Sequence, residues 1–303
     1  MSRAMMRARQ RRFPIDGEPP IEIAAWDWGG DGPLALLHHA NGMCAATWAP
    51  VAEALAEDYR VVAVDARGHG DSSAPPAPEG YPMHAFVTDL VGVARALLTE
   101  THQTRIAYGV GSSFGGIVTA MAEAANPGLF ERIAMLDPPI HPDDALRAQL
   151  DPTGGIVDPR PQIAAQARKR TAVWPSRDAA RSAWAHKPMF APWQPRAFEL
   201  YLQHGFRDRS DGAVELKCRP DVEATVFANS GDLDIYAAAR SVRAPVLLVR
   251  AANGRLPAQA FDHLATLLPR CTLLAPPLGH LMPVESPEAT VTLLRAFGSG
   301  ADN

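Results

Sequence analysis

The chain has 303 residues, 47% hydrophobic and 20% charged, with a net charge of −4 and a pI near 6.2. That size suits one large α/β domain or two modest ones. The mild acidity argues against nucleic acid or an anionic membrane surface as a partner, and no apolar run is long enough to suggest a membrane span.

The first twelve residues, MSRAMMRARQRR, are basic, and no apolar run follows them. Residues 1–19 are therefore expected to be a flexible arm, not a secretory leader, despite the Arg11-Arg12 pair. Strands are expected at Ile21–Trp28, Leu34–Leu37 and Arg60–Val64, and helices at Thr47–Glu57 and Pro82–Glu100. Thr104–Gly109 reads as a strand leading into a glycine-rich turn. A helix at Phe114–Ala125 and a strand at Arg132–Leu136 follow. This alternation of short strands with helix-length segments is the α/β signature.

From about residue 139 to 243 the alternation stops. The segment is rich in Pro, Trp and Arg, with helix-like pieces and no strong strand. The pattern resumes with a strand at Pro245–Val249, a helix at Leu256–Leu268, a strand at Thr272–Leu274 and a helix at Glu285–Phe297. The expected division is a core of residues 20–138 and 244–298, interrupted by a helical lid at 139–243, with a tail at 299–303. A lid is preferred to an independent second domain because both ends of the insertion re-enter the same sheet.

Cys44, Cys218 and Cys271 are scattered and odd in number, which suits a reducing cytoplasm better than a disulfide framework. No metal-ligand spacing is present, and no metal or cofactor is expected. Asp65 follows a strand, but no G-x-G-x-x-G turn accompanies it. A dinucleotide site is therefore not read there, and Asp65 is expected to brace the Arg67–Asp71 turn.

The glycine-rich turn, Gly111-Ser112-Ser113-Phe114-Gly115-Gly116, fits the G-x-S-x-G nucleophile elbow, a sharp strand-to-helix turn with serine at its apex. Residues two before and two after the apex must be small, or their side chains would meet the strand and helix. Ser113 has Gly111 and Gly115 at those positions; Ser112 would have Val110 and Phe114. The apex is therefore Ser113.

Four motifs in order give the chain a resemblance to the α/β-hydrolase superfamily. They are His38-His39-Ala40-Asn41-Gly42, similar to the family's oxyanion loop; Asp65-Ala66-Arg67-Gly68-His69-Gly70-Asp71-Ser72, similar to its D-x-R-G-x-G-x-S turn; the elbow; and Gly279-His280 between the last strand and last helix. The implied fold is a mostly parallel central sheet with helices on both faces. The chain departs from the family pattern at Ser112, where His is frequent, and at HHANG, where many members read HGxP. It departs again after the strand at Pro245–Val249. The triad acid usually follows that strand, yet Arg250–Pro257 contains no carboxylate.

The resemblance implies Ser113 as nucleophile and His280 as its base. The orienting acid is expected at Asp137, after the strand that follows the elbow helix, with Asp232 and Asp234 as alternatives. Some branches of the family place their acid after that earlier strand. The backbone N–H groups of Asn41 and Phe114 would form the oxyanion hole, and His38 and His39 would hold their loop by hydrogen bonds. Trp174, Trp184, Trp193, Phe190 and Phe198 are expected to include pocket walls for an apolar acyl or alcohol group. The expected activity is hydrolysis of a small-molecule carboxylic ester. A lactone, a C–C bond or an amide stays open as the substrate bond, and a non-catalytic ligand receptor is the alternative of another class. The residues do not fix an oligomeric state.

Overall fold

The computed structural model describes residues 8–17, 20–142, 144–150, 158–254 and 256–299. Six strands precede the insertion: β1 (Arg9–Ile15), β2 (Ile21–Gly29), β3 (Leu34–His38), β4 (Arg60–Val64), β5 (Tyr108–Ser112) and β6 (Ile133–Leu136). Three short strands lie within it: β7 (Val173–Trp174), β8 (Phe206–Asp208) and β9 (Val214–Leu216). The strands β10 (Val246–Val249) and β11 (Cys271–Leu274) follow. The main sheet runs β1-β2-β4-β3-β5-β6-β10-β11. Only β1 with β2 and β2 with β4 pair antiparallel; every other neighbour is parallel.

Strand side chains alternate between the two faces, as a period of two requires. Leu36, Val62, Val64, Met135 and Leu248 pack on one face with α2 (Met83–Thr101) and α3 (Phe114–Ala125). Leu37, Val61, Ala63, Ala134 and Leu247 face the other way. There they meet Trp48 and a short helix at Ala49–Leu55, numbered α1 here, together with the chain's last helix at Pro287–Gly298. Burial on both faces explains why these strands read as unbroken apolar runs.

Residues 9–15 correct the expected flexible arm. They form an edge strand paired along its length with β2. Phe13 and Ile15 are buried, each contributing about 1.5–3 kcal/mol of burial. Arg9, Arg11 and Arg12, charges of the kind that guard an exposed edge, gave this strand the composition of a tail. Residues 1–7 and 300–303, the ends of the expected arm and tail, lie outside the described residues.

The inserted stretch contains α4 (Asp144–Leu150), α5 (Arg160–Arg168), α6 (Arg177–Trp184), α7 (Pro195–His204), α8 (Pro220–Asn229) and α9 (Ile235–Ala238). It also holds a small antiparallel sheet, β7-β9-β8, in a region read as free of strong strands. Strands of two or three residues carry no legible alternation. The chain then returns through α10 (Ala258–Leu267), and its end folds as α11 (Met282–Glu285) and α12 (Pro287–Gly298). The closing helix expected at Glu285–Phe297 is α12, and Ser286 separates it from the short α11 before it.

Candidate active site

The residues of the site stand at the carboxyl ends of the parallel strands, the edge at which ligands of such sheets gather. Register brings them together. Ser112 of β5 pairs with Leu136 of β6, and Leu136 pairs with Val249 of β10. The ladder continues one step further: the Ser113 N–H donates to the Leu136 carbonyl at 2.8 Å, and the Asp137 N–H donates to the Val249 carbonyl at 2.7 Å. Ser113 and Asp137 thus leave neighbouring strands side by side.

Both have a positive φ, 51° at Ser113 and 45° at Asp137, a conformation costing about 1–3 kcal/mol in a non-glycine residue. At Ser113 the neighbours make the turn possible. A Cβ on Gly111 would lie 2.1 Å from the Gly115 carbonyl oxygen, and one on Gly115 would lie 2.4 Å from the His38 carbonyl oxygen. No larger residue fits either position, which is the steric rule that selected Ser113 as apex.

A continuous hydrogen-bond chain links three of the expected residues. Ser113 Oγ lies 3.0 Å from His280 Nε2, and His280 Nδ1 lies 2.6 Å from Asp137 Oδ2. A carboxylate only accepts, so Nδ1 carries the proton and Nε2 is left to accept from the serine hydroxyl. Asp137 is fully buried, and its second oxygen accepts the Ala251 N–H at 2.8 Å. The loop after β10, which has no acid of its own, therefore supplies a donor to the acid from β6. Asp232 and Asp234 take no part. Asp234 instead caps α9 by accepting the Ala237 N–H at 3.0 Å.

Asn41 and Phe114, the two expected backbone donors, both line the cavity at Ser113. Phe114 is the first residue of α3, whose opening N–H groups have no intrahelical acceptor. Among the described residues, neither backbone N–H donates to a protein group. His38 and His39 brace the loop from behind through Nδ1 bonds to the carbonyls of His39 (3.0 Å) and Ala40 (2.7 Å). Burial holds His38 down to about 4 and His39 well below its ordinary value, so both are neutral at pH 7. Asp65 ties the next turn, accepting the N–H groups of Ala45 at 2.7 Å and Asp71 at 3.0 Å; burial pushes its carboxyl up to about 6.

The cavity at Ser113 has a volume of about 580 Å³. Its apolar wall comes from Phe114, Ile163, Val226, Phe227 and Leu256. None of the five lid aromatics expected to include pocket walls lines it. Trp184 instead stacks with Phe190 at 5.0 Å between ring centroids, and Trp193 packs with them in a cluster that also takes in Met43, Cys44, Leu281 and Val284. These large aromatics form a core that joins the inserted segment to the rest of the chain, the commoner fate of such residues. The cation on the cavity wall, Arg160, is paired with Asp158 at 2.7 Å.

Burial raises the Cys44 thiol far above its ordinary range, so it offers no thiolate. Sequence reasoning missed two contacts to the site: the Ala251 amide and Glu285, whose Oε1 accepts the Leu281 N–H at 3.1 Å directly after His280. A backbone donor has no residue-type signature. Among the described residues, no cluster of three His, Cys, Asp or Glu could hold a metal ion, and no helix is long and apolar enough to cross a membrane.

Comparison with known proteins agrees with this architecture. A 2-(acetamidomethylene)succinate hydrolase of Mesorhizobium japonicum is 27% identical over 274 residues, covering 88% of each chain. Epoxide hydrolase A of Mycobacterium tuberculosis is 35% identical, over only 40% of this chain and 35% of its own length. Among solved structures, E-2-(acetamidomethylene)succinate hydrolase superposes with a TM-score of 0.78 at 22% identity, covering 96% of this chain and 100% of that one. Residues 35–293 match the alpha/beta hydrolase family; the chain belongs to that family and is a hydrolase.

Proposed function

We propose that the protein is a serine hydrolase that cleaves a carboxylic ester through an acyl-enzyme. The observation that carries this reading is the chain from Ser113 Oγ through His280 to the buried Asp137. Ser113 Oγ attacks the ester carbonyl carbon as its proton passes to His280 Nε2. The resulting oxyanion takes hydrogen bonds from the Asn41 and Phe114 amides, each worth about 3–4 kcal/mol in comparable sites. Asp137 steadies the imidazolium. The carbonyl re-forms, the C–O bond breaks, and the alcohol leaves with the proton from His280. Water then gives a proton to His280 and attacks the acyl carbon; the acid departs and the proton returns to Ser113.

Residues 139–243 act as a lid in this reading, since α5 and α8 supply Ile163, Val226 and Phe227 to the cavity. Their apolar character favours an ester with an apolar group. A serine nucleophile disfavours epoxide opening and dehalogenation, in which a carboxylate attacks carbon to form an ester intermediate. Three unpaired thiols suit a cytoplasmic location.

Amide hydrolysis is the second reading. Its support is the relative matched over 88% of each chain, whose named substrate carries an acetamido group. Turnover of matched p-nitrophenyl esters and p-nitroanilides by wild type and Ser113→Ala separates these possibilities. The proposal expects ester turnover that vanishes in the variant. Faster anilide than ester cleavage would favour the second reading. Ester turnover that survives in Ser113→Ala would sink both, and failure of wild type to turn over either kind of substrate would reject the ester and amide readings together.

A further inference from the structure

A buried polar cluster outside the Ser113–His280–Asp137 chain fixes the Asn41–Gly42 loop from the side of the insertion. Tyr201 donates its hydroxyl proton to the Gly42 carbonyl at 2.9 Å and accepts from Arg170 Nη2 at 3.1 Å. Arg170 Nη1 pairs with the Glu223 carboxylate. The Glu223 carbonyl accepts Asn41 Nδ2 at 3.0 Å. On the opposite side, the Gly42 N–H donates to His69 Nε2 at 3.0 Å. Gly42 has a φ of +78°, and a Cβ there would stand 2.8 Å from Glu223 Oε1. The loop thus fits against the carboxylate without room for a side chain.

Stability alone is a weak reason for this arrangement. Tyr201 is 2% exposed and Glu223 is 4% exposed; a buried ion pair often adds nothing over apolar residues of equal volume. What the cluster supplies is position. Glu223 lies three and four residues before Val226 and Phe227 of the cavity wall, spacings that share a helix face. Arg170 follows α5, which contributes Ile163 and Gln166 to the same wall. Arg170 lies just past the end of α5 and Glu223 in the first turn of α8, so the two helices that supply the cavity wall lie beside the groups that grip the loop.

We infer that Arg170, Glu223 and Tyr201 are positioning residues that aim the Asn41 amide at the developing oxyanion and tie that aim to the helices roofing the cavity. This rests on the serine-hydrolase reading. Tyr201→Phe is the direct test, because it keeps the ring in the aromatic core and removes only the hydroxyl. Rates are normalised to sites labelled by a fluorophosphonate. The expected result is a fall in kcat of about tenfold or more with KM within about twofold, the pattern of an interaction made only in the transition state. Inhibition by a trifluoromethyl ketone, which forms a tetrahedral oxyanion on serine, weakens by the same factor.

A merely structural clamp lowers Tm but leaves both kcat per labelled site and ketone affinity unchanged; that outcome overturns the inference while the serine reading stands. If wild type takes no label at Ser113, both fall together. Should Tyr201→Phe fail to fold, Glu223→Gln is read by the same two measurements.

Discussion

The loops after β6 and β10 leave neighbouring parallel strands at the same edge, yet they contribute different things. The first offers the buried carboxylate of Asp137. The second offers only a backbone amide, Ala251 N–H, at 2.8 Å from Asp137 Oδ1. In the proposed mechanism His280 takes its orienting acid from the loop after β6, and the loop after β10 only supports that acid through a backbone donor. What matters is a carboxylate within hydrogen-bond reach of His280 Nδ1, here 2.6 Å away, with its other oxygen satisfied. Leu136 pairs with Val249, so the two loops begin in step, and exchanging the acid between them needs no change in the sheet.

The largest effect that could break this comparison lies upstream of both loops. Ser113→Ala or His280→Ala should each lower kcat by about 10⁶, because nucleophile and base act as one unit. Activity within about a hundredfold of wild type in steady-state assays would remove the reason for any acid. Next comes the acid itself: Asp137→Asn should cost roughly 10⁴ in kcat by leaving His280 with the wrong tautomer. Asp232→Asn and Asp234→Asn should stay close to wild type, and the opposite ranking would reject the loop after β6 as the source.

The comparison is sharpened by moving the carboxylate. A Cβ at Gly254 would lie 3.2 Å from Asp137 Oδ2 but 2.9 Å from the Ala251 carbonyl oxygen, so an aspartate there reaches the site only with a small shift of the loop. Asp137→Gly combined with Gly254→Asp should therefore recover about tenfold or more over Asp137→Gly alone, a coupling expected only between groups that share a partner. Simple additivity of the two changes in kcat/KM would show that the loops are not interchangeable.

Acid sets a milder contrast, between an edge braced by carboxylates and one braced by neutral histidines. The His38 and His69 imidazoles are held down to about 4 by burial, whereas an unfolded chain titrates them near 6.5. Between those values the unfolded state binds more protons. Their stabilisation is therefore full above about pH 6.5 and is lost as the pH falls toward 4, on the order of 3 kcal/mol for each. Asp65, pushed up to about 6, works in the opposite sense and offsets part of the loss, because its native carboxyl holds its proton more tightly. Urea midpoints should fall steadily from pH 7 to pH 5; flat midpoints would contradict buried neutral histidines. The smallest effect is Asp234→Ala, which should cost about 1 kcal/mol through its lost cap on α9, read from the same urea titrations, with no change in kcat.

The sheet was legible because burial on both faces makes each parallel strand an apolar run. The elbow was legible because its sterics are local: two small neighbours are required, and only Ser113 has both. The acid was harder. Sequence order left Asp137, Asp232 and Asp234 as candidates, and the hydrogen bond that joins His280 to Asp137 depends on register between β6 and β10. The inserted segment was least legible. Its aromatics have the composition of a pocket wall but form a core, and its strands are too short to show a period. β1 was hidden for the opposite reason, since an edge strand that protects itself with charge resembles a tail.

In the proposed mechanism Ser113 becomes covalently acylated. Intact-protein mass spectrometry after fluorophosphonate treatment, followed by peptide mapping, tests it most directly. One adduct per chain is expected, on the peptide containing Ser113, absent in Ser113→Ala and formed far more slowly in His280→Ala. An unmodified wild-type chain, or an adduct on another residue that persists in Ser113→Ala, would contradict it.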